Sequence, residues 1–386
     1  MANDYPVVLV HGLFGWGPAE LAGFPYWGTG LTVRSPLRRL VASVGPISSL
    51  HDRACELAFQ IRGGQVDYGE AHAAEEGHLR YGKTYTALYP PWSEQHPVHL
   101  VGHSMGGPTI RLLQQLLADD YFGWGTTHRW VASISSVSGV LNGSTATYFF
   151  GCDETTGLVE EDSASSYLER AIELFLRATG GLFDGFYDFD LDQWEIEAMR
   201  AGERLDGYVQ RIARSPMFRG VDNGAYGLTL QSLLDQNARC LTYPDTYYFS
   251  YATEQTVSGY LSKHVYPEPD MNPFLIPSSL YIGGKHFARP FYPGFRSEDW
   301  WPNDGAVSVY SQQYPRTAGS HRVAGPIDDD AGFRPGAWYY QQLDDMDHID
   351  IVALPQLNQV GRQKRFYRSL FERLVKLDMT HPTEHD

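Results

Sequence analysis

The clearest pattern in the chain is a short apolar run, a sharp turn, and then apolar residues at helical spacing. Over residues 98–117, Val98, Leu100 and Val101 read as a buried strand and Gly102-His103-Ser104-Met105-Gly106 as the turn. Ile110, Leu112, Leu113, Leu116 and Leu117 then form the inner face of a helix. Apolar runs at Val7–Val10, Val131–Val137 and 246–252 predict further core strands, the last from its β-rich Thr-Tyr-Tyr-Phe-Ser-Tyr-Ala. Helical spacing predicts helices over 36–41, 163–178, about 204–214, 227–234 and 362–377. Strands alternating with helices point to an α/β fold built on a largely parallel sheet.

Two stretches break this pattern. Residues 62–83 are polar and Gly-rich and lie between expected core strands, which marks an insertion. Between the strand near 137 and the one near 246 the core rhythm lapses for longer than a structureless loop would run. The helical and aromatic segments in that interval have the character of a cap. The reading is one domain over 1–386, with an insertion at about 50–85 and a helical lid or cap at about 140–240.

Composition narrows the function classes. The chain has 386 residues, 42% of them apolar, and no run approaching the ~18 apolar residues that would cross a bilayer. A formal net charge of −16 argues against nucleic acid, which demands clustered cations, and favours a monomer or weak oligomer. Met-Ala-Asn-Asp-Tyr-Pro runs into the first strand with neither a charged start nor an apolar leader, so no signal peptide is read. Three cysteines, Cys55, Cys152 and Cys240, allow at most one bridge, and buried free thiols are expected.

The strand–turn–helix carries the chemistry. A turn tight enough to lift Ser104 above the carboxyl end of a strand needs small neighbours, and Gly102 and Gly106 stand where sterics require them. A serine hydroxyl needs a base, and the base a third group to hold it. Of the downstream histidines His264, His286, His321, His348, His381 and His385, His348 lies in a loop just before the final helix and is assigned as base. Asp304, in Asn-Asp-Gly, is the acid, with Asp299, Asp345 and Asp347 as competitors. The Gly-rich loop after the first strand, 11–17, sits where backbone N–H groups would stabilise an oxyanion, so the Leu13 and Met105 amides are its candidate donors. His11 reads as a packing residue. His72 and His78, with Asp52 and Asp67 nearby, make a metal site conceivable from spacing alone.

The motifs His-Gly-Leu-Phe-Gly-Trp-Gly (11–17), Gly-Phe-x-Tyr-Trp-Gly (23–28), Asp-Arg-Ala-Cys-Glu with the block ending at His78, Gly-His-Ser-Met-Gly-Gly, Tyr-Asp-Phe-x-Leu-Asp-Gln-Trp (187–194), Asn-Asp-Gly and Asp-His carry a resemblance. The chain resembles the true lipases of bacterial family I.5, which include the Geobacillus thermoalkalophilic lipases and, more distantly, staphylococcal lipases. The resemblance implies an α/β-hydrolase fold and a secreted lipase acting on acylglycerol esters, at a lipid–water interface, through Ser104, Asp304 and His348. It also implies a structural zinc held by Asp52, His72, His78 and Asp222, which releases Asp67. The family's calcium site is incompletely matched: Asp350 fits one carboxylate ligand, but Pro355 and Gln356 stand where Asp-Pro would be, and Asp270 replaces a glycine. The elbow also departs, with Gly102 and Met105 where alanine and glutamine are common, and 138–145 lacks the usual Thr-Pro-His. Alternatives of other substrate class or type are an esterase for short or polymeric esters and a non-catalytic binding protein on the same fold.

Overall fold

A computed structural model describes residues 3–20, 23–159, 188–200, 202–316, 321–353 and 355–379. Its frame is a seven-stranded sheet of β1 (Val7–Val10), β2 (Arg39–Ala42), β5 (Val98–His103), β6 (Val131–Val137), β7 (Tyr247–Thr253), β10 (Val323–Pro326) and β11 (Trp338–Leu343). The spatial order is β10-β11-β7-β6-β5-β1-β2 and every pairing is parallel. Two small antiparallel pairs stand apart from it: β3 (Gly64–Asp67) with β4 (Tyr81–Tyr85), and β8 (Thr256–Ser258) with β9 (Val265–Pro267).

Strand residues alternate between two cores, as a period of two requires. Val7, Leu9, Val101, Val137, Phe249 and Tyr251 face the C-terminal helix Val360–Lys376, meeting Tyr367, Leu370, Phe371 and Leu374. Val8, Val10, Leu100, Ile134 and Tyr248 face the opposite way. They meet Ala54, Leu57 and Ile61 of α1 (Leu50–Arg62), and Ile110, Leu113 and Leu117 of the helix Gly106–Ala118. Burial on both faces explains why these strands are apolar runs rather than alternating ones. Each such side chain taken out of water contributes about 1.5–3 kcal/mol, so the two cores fix the sheet that carries the loops discussed below. The described residues thus form an α/β-hydrolase-type arrangement of helices on both faces of a parallel sheet.

The expected helix over 36–41 is instead a loop running into β2. Leu40 and Ala42 are buried while Arg39 and Val41 are only half-buried, the alternation of an edge strand, and β2 pairs in register with β1. The polar stretch 62–83 folds as β3, a helix α2 (Glu70–Glu76) and the start of β4. The helix expected at 204–214 is Leu205–Ala213, and that at 227–234 divides into Gly224–Gly227 and Leu230–Arg239. The helix expected over 163–178 lies outside the described residues. Cys55, Cys152 and Cys240 are buried free thiols. No helix among the described residues is long and apolar enough to cross a membrane.

Candidate active site and metal cluster

The loops that leave β1, β5, β7 and β11 at the carboxyl edge of the sheet converge on Ser104. Its φ is 55°, a left-handed conformation that L residues adopt at a cost. The turn leaves no room for side chains: a Cβ on Gly102 would lie 2.3 Å from the Gly106 carbonyl oxygen, and one on Gly106 would lie 2.2 Å from that of Val10. The glycine spacing in this motif is therefore a packing requirement, and it points the Ser104 hydroxyl away from the strand.

His348 Nε2 lies 2.9 Å from Ser104 Oγ, and His348 Nδ1 lies 2.7 Å from Asp304 Oδ2. The Asp304 carboxylate is fully buried. Its Oδ2 also accepts from Thr253 Oγ1 (2.7 Å) and Gln312 Nε2 (3.1 Å), and its Oδ1 from the amides of Ala306 (3.0 Å) and Val307 (2.8 Å). Surrounded by donors, it stays an acceptor, so the His348 Nδ1–H donates to it and Nε2 is left to accept from serine. The competing acids are engaged elsewhere. Asp299 pairs with Arg296, Asp345 lies 3.4 Å from Arg362, and Asp347 accepts the amides of Asn272, Ile349 and Asp350. His321 bonds Thr242 and Asn237, and His264 and His286 pack on Trp301, while His381 and His385 lie outside the described residues.

The loop after β1 is held by hydrogen bonds from Phe14 N to Pro46 O (3.0 Å) and Gly15 N to Gly12 O (3.1 Å). Neither the Leu13 nor the Met105 amide donates to an acceptor among the described residues. His11 is buried, accepts the Val44 amide on Nε2, and is pushed down to about 3 by burial and by Arg53. It is a structural residue.

A second line of hydrogen bonds runs behind the site, and sequence reasoning missed it although both residues sit inside quoted motifs. Gly12 N–H donates to Tyr26 Oη (3.0 Å), Tyr26 Oη lies 2.6 Å from His103 Nδ1, and His103 Nε2 lies 3.2 Å from the His348 carbonyl oxygen. A carbonyl can only accept, so His103 Nε2 carries its proton, Nδ1 is the acceptor, and Tyr26 donates to it. Burial, reinforced by His348, holds His103 well below the usual range and keeps it neutral. The loop after β1 and the loop that carries His348 are thereby tied through two fixed side chains.

Away from the sheet edge, Asp52 of α1, His72 of α2, His78 and Asp222 present ligand atoms that all lie within 4.8 Å of one another. The imidazole–carboxylate distances are 3.3, 3.4, 3.7 and 3.3 Å. Zinc bonds of about 2.0–2.1 Å give a tetrahedron with edges of about 3.4 Å, close to these imidazole–carboxylate separations. His78 Nε2 and Asp222 Oδ2 are buried with no hydrogen-bond partner in the structure. His78 Nδ1 donates to Leu79 O, and Gln193 Nε2 donates to Asp52 Oδ2, the outer contacts that orient metal ligands. Burial opposes charge on His72, yet its hydrogen bonds to Asp222 and Asp52 outweigh that and push it up to about 10, a measure of the local negative field. These residues fit a metal ion. Asp67 is not among them, being clasped by Arg80 at 2.9 and 3.0 Å.

The segment around Asp350 does not fit one. Gln356 Nε2 donates to the Asp270 carbonyl (2.6 Å) and Gln356 N to Asp350 Oδ1 (2.9 Å), while both Asp347 oxygens accept amides. Of the carboxylate oxygens of Asp347 and Asp350, Asp350 Oδ2 alone accepts no hydrogen bond among the described residues. Burial, then repulsion from Asp347, pushes Asp350 up to about 7. A carboxyl raised in the folded chain favours folding most below its unfolded value near 4, and that advantage is lost as pH rises through about 7. Asp350→Asn is therefore expected to raise the melting temperature more at pH 8 than at pH 5, with added calcium shifting neither protein. A calcium-dependent rise in the parent chain would restore the ion site.

Comparison with known proteins bears on all of this. A family model for the lipase-like, C-terminal domain matches residues 3–385. Lipase 2 of Staphylococcus aureus is 32% identical over 408 residues, covering 98% of this chain and 55% of that protein. The chain spans about half the length of the curated relatives it matches. Among solved structures, EstA from Clostridium botulinum superimposes with a TM-score of 0.82 at 32% identity, over 97% of this chain and 88% of that one. Lipase 1 from Pelosinus fermentans gives 0.78 at 31% identity, over 97% and 100%.

Proposed function

We propose that this chain, which belongs to the family of lipase-like domains, hydrolyses the carboxylic esters of acylglycerols through an acyl-enzyme on Ser104. The observation that supports it best is the unbroken line Asp304–His348–Ser104, with bonds of 2.7 and 2.9 Å. Ser104 Oγ attacks the ester carbonyl carbon as His348 Nε2 takes its proton, and the carbonyl oxygen becomes an oxyanion facing the Leu13 and Met105 N–H groups. His348 returns the proton to the departing alkoxide oxygen. Water then repeats the sequence against the acyl-enzyme, releasing the acid and restoring the serine. Asp304 stays ionised throughout and stabilises the imidazolium.

In this reading the cluster Asp52, His72, His78 and Asp222 holds a structural zinc. Four protein ligands close a tetrahedral shell, so the ion supplies cross-linking and no chemistry at the ester. The 50–85 segment is then a zinc-binding insertion and 140–240 a cap over the serine, within a secreted enzyme. The substrate is tested by hydrolysis rates on 4-nitrophenyl esters from acetate to palmitate beside emulsified triacylglycerol. The expected result is hydrolysis of emulsified long-chain triacylglycerol at a rate matching or exceeding that of soluble short esters. Activity confined to dissolved short esters would replace the lipase reading with an esterase one.

A further inference from the structure

The β8–β9 hairpin has no place in the chemistry above, and its composition is unusual for a solvent-exposed tip. Its sequence from Thr256 is Thr-Val-Ser-Gly-Tyr-Leu-Ser-Lys-His-Val-Tyr-Pro. Tyr260 is 101% and Leu261 94% exposed, and the cross-strand pair Val257 and Tyr266 are 52% and 41% exposed. Single exposed apolar residues need no explanation, but four on one short hairpin make a patch, and such patches mark contact surfaces. The hairpin is also held in place. Gly259 N donates to His264 O (2.8 Å), Val265 N to Gly283 O (2.8 Å), Ser262 Oγ meets Tyr266 Oη at 2.9 Å, and the His264 ring packs edge-on against Trp301.

Its position relates it to the candidate active site. The hairpin begins just past the carboxyl end of β7, whose Thr253 bonds Asp304, and Gln255 N donates to the carbonyl of Asn303 (3.1 Å), the neighbour of Asp304. It therefore rises from the same edge of the sheet as Ser104. On the other side, Leu357 is 96% exposed, in the loop that follows His348, and its neighbour Gln356 is tied to Asp270 just beyond β9. The local charge also differs from that of the molecule. A chain of net charge −16 repels copies of itself, yet residues 256–267 contain no carboxylate and carry Lys263. An aromatic, an aliphatic and a lysine on a rigid tip are the side chains that lodge at a membrane–water boundary, where Tyr takes the headgroup level and Lys remains in water.

We propose that the hairpin 256–267 is a lipid-docking element: Tyr260 and Leu261 insert into the surface of aggregated ester and hold the Ser104 edge against it. This rests on the ester-hydrolase reading for the identity of the surface but not for the binding itself. The test compares the parent chain with Tyr260→Ser/Leu261→Ser, two fully exposed positions where folding is not at stake. Partition onto phosphatidylcholine vesicles is measured by co-sedimentation in a Ser104→Ala background, and hydrolysis of dissolved 4-nitrophenyl acetate and of emulsified tributyrin in the active one. The double variant is expected to bind vesicles at least tenfold more weakly and to lose emulsion activity in proportion, with acetate hydrolysis within twofold of the parent. Tyr260→Trp/Leu261→Phe is expected to restore binding. Unchanged partition and emulsion rate would overturn the proposal. So would sedimentation showing that the parent self-associates through this tip and the double variant does not. A parent inert on both esters would remove the hydrolase reading, while the co-sedimentation result would still decide the docking.

Discussion

Replacing Ser104 by alanine is expected to cut hydrolysis of a soluble chromogenic ester by on the order of 10⁴-fold or more, with the melting temperature within about 2 °C of the parent. The magnitude follows from the roles assigned: without the hydroxyl there is no acyl-enzyme, and what remains is the binding and oxyanion contribution alone. The small effect on stability follows from the structure. Ser104 Oγ bonds only His348 Nε2 among the described residues, and alanine inherits the same φ of 55° without adding atoms. Asp304→Asn is the companion variant. An amide in place of the Oδ2 acceptor would turn His348 to the wrong tautomer, so a loss approaching that of the serine variant is expected. Wild-type-like turnover by Ser104→Ala would remove the serine, and with it the whole assignment.

Metal removal is expected to have the second-largest effect. The protein should carry about one zinc per chain through dialysis, and a strong chelator should lower its melting temperature by roughly 5–10 °C. The ligands come from α1, from α2 and its C-terminal turn, and from Asp222 ahead of the helix Gly224–Gly227. An ion there joins segments far apart in sequence, and without it only the two imidazoles hold the buried carboxylates of Asp52 and Asp222 together. For a chain of this length each kcal/mol is worth about 1.2 °C, so a loss of several kcal/mol gives that range. Protons compete for the imidazoles, which, against burial, their carboxylate neighbours push up, so the chelator should act faster as pH falls. Asp222→Asn should reproduce the effect without chelator. Elemental analysis finding no zinc, or a melting temperature indifferent to chelation, would refute the site.

How much of this was readable beforehand depended on how local the constraint is. Strands β1, β5, β6 and β7 were legible because burial on both faces makes each a compact apolar run. Arg39–Ala42 was misread because Leu37, Leu40 and Val41 also fit helical spacing, and only pairing with β1 decides between the two. Trp338–Leu343 went unread, since a half-exposed strand ending in Gln-Gln-Leu carries no long apolar run. The elbow was legible because the turn itself demands small residues, Gly102 against the Gly106 carbonyl, although Gly106 answers to the Val10 carbonyl of the neighbouring strand. Spacing alone put His72 and His78 beside Asp52 and Asp67, while Asp222 lies too far along the chain for any local signal, and only family resemblance brought it in and released Asp67. Tyr26, His103, Thr253 and Gln312 are set by contacts that exist only after folding, and residue type alone does not single them out.

The all-parallel sheet also governs the order in which the chain can become competent. Parallel neighbours cannot be joined by tight hairpins, so every pairing waits on a crossover: β1 must hold its place until β5 arrives, and β7 until β11. Such long-range closures are slow compared with helix formation. The chemical line is later still, because His348 follows β11 and its loop is pinned by Gln363 and Tyr367 of the C-terminal helix, which bond the carbonyls of Asp350 and Ile351. Until that helix docks, the loop that carries His348 lacks these two anchors. On the proposed assignment, the base is brought to Ser104 only once this helix is in place.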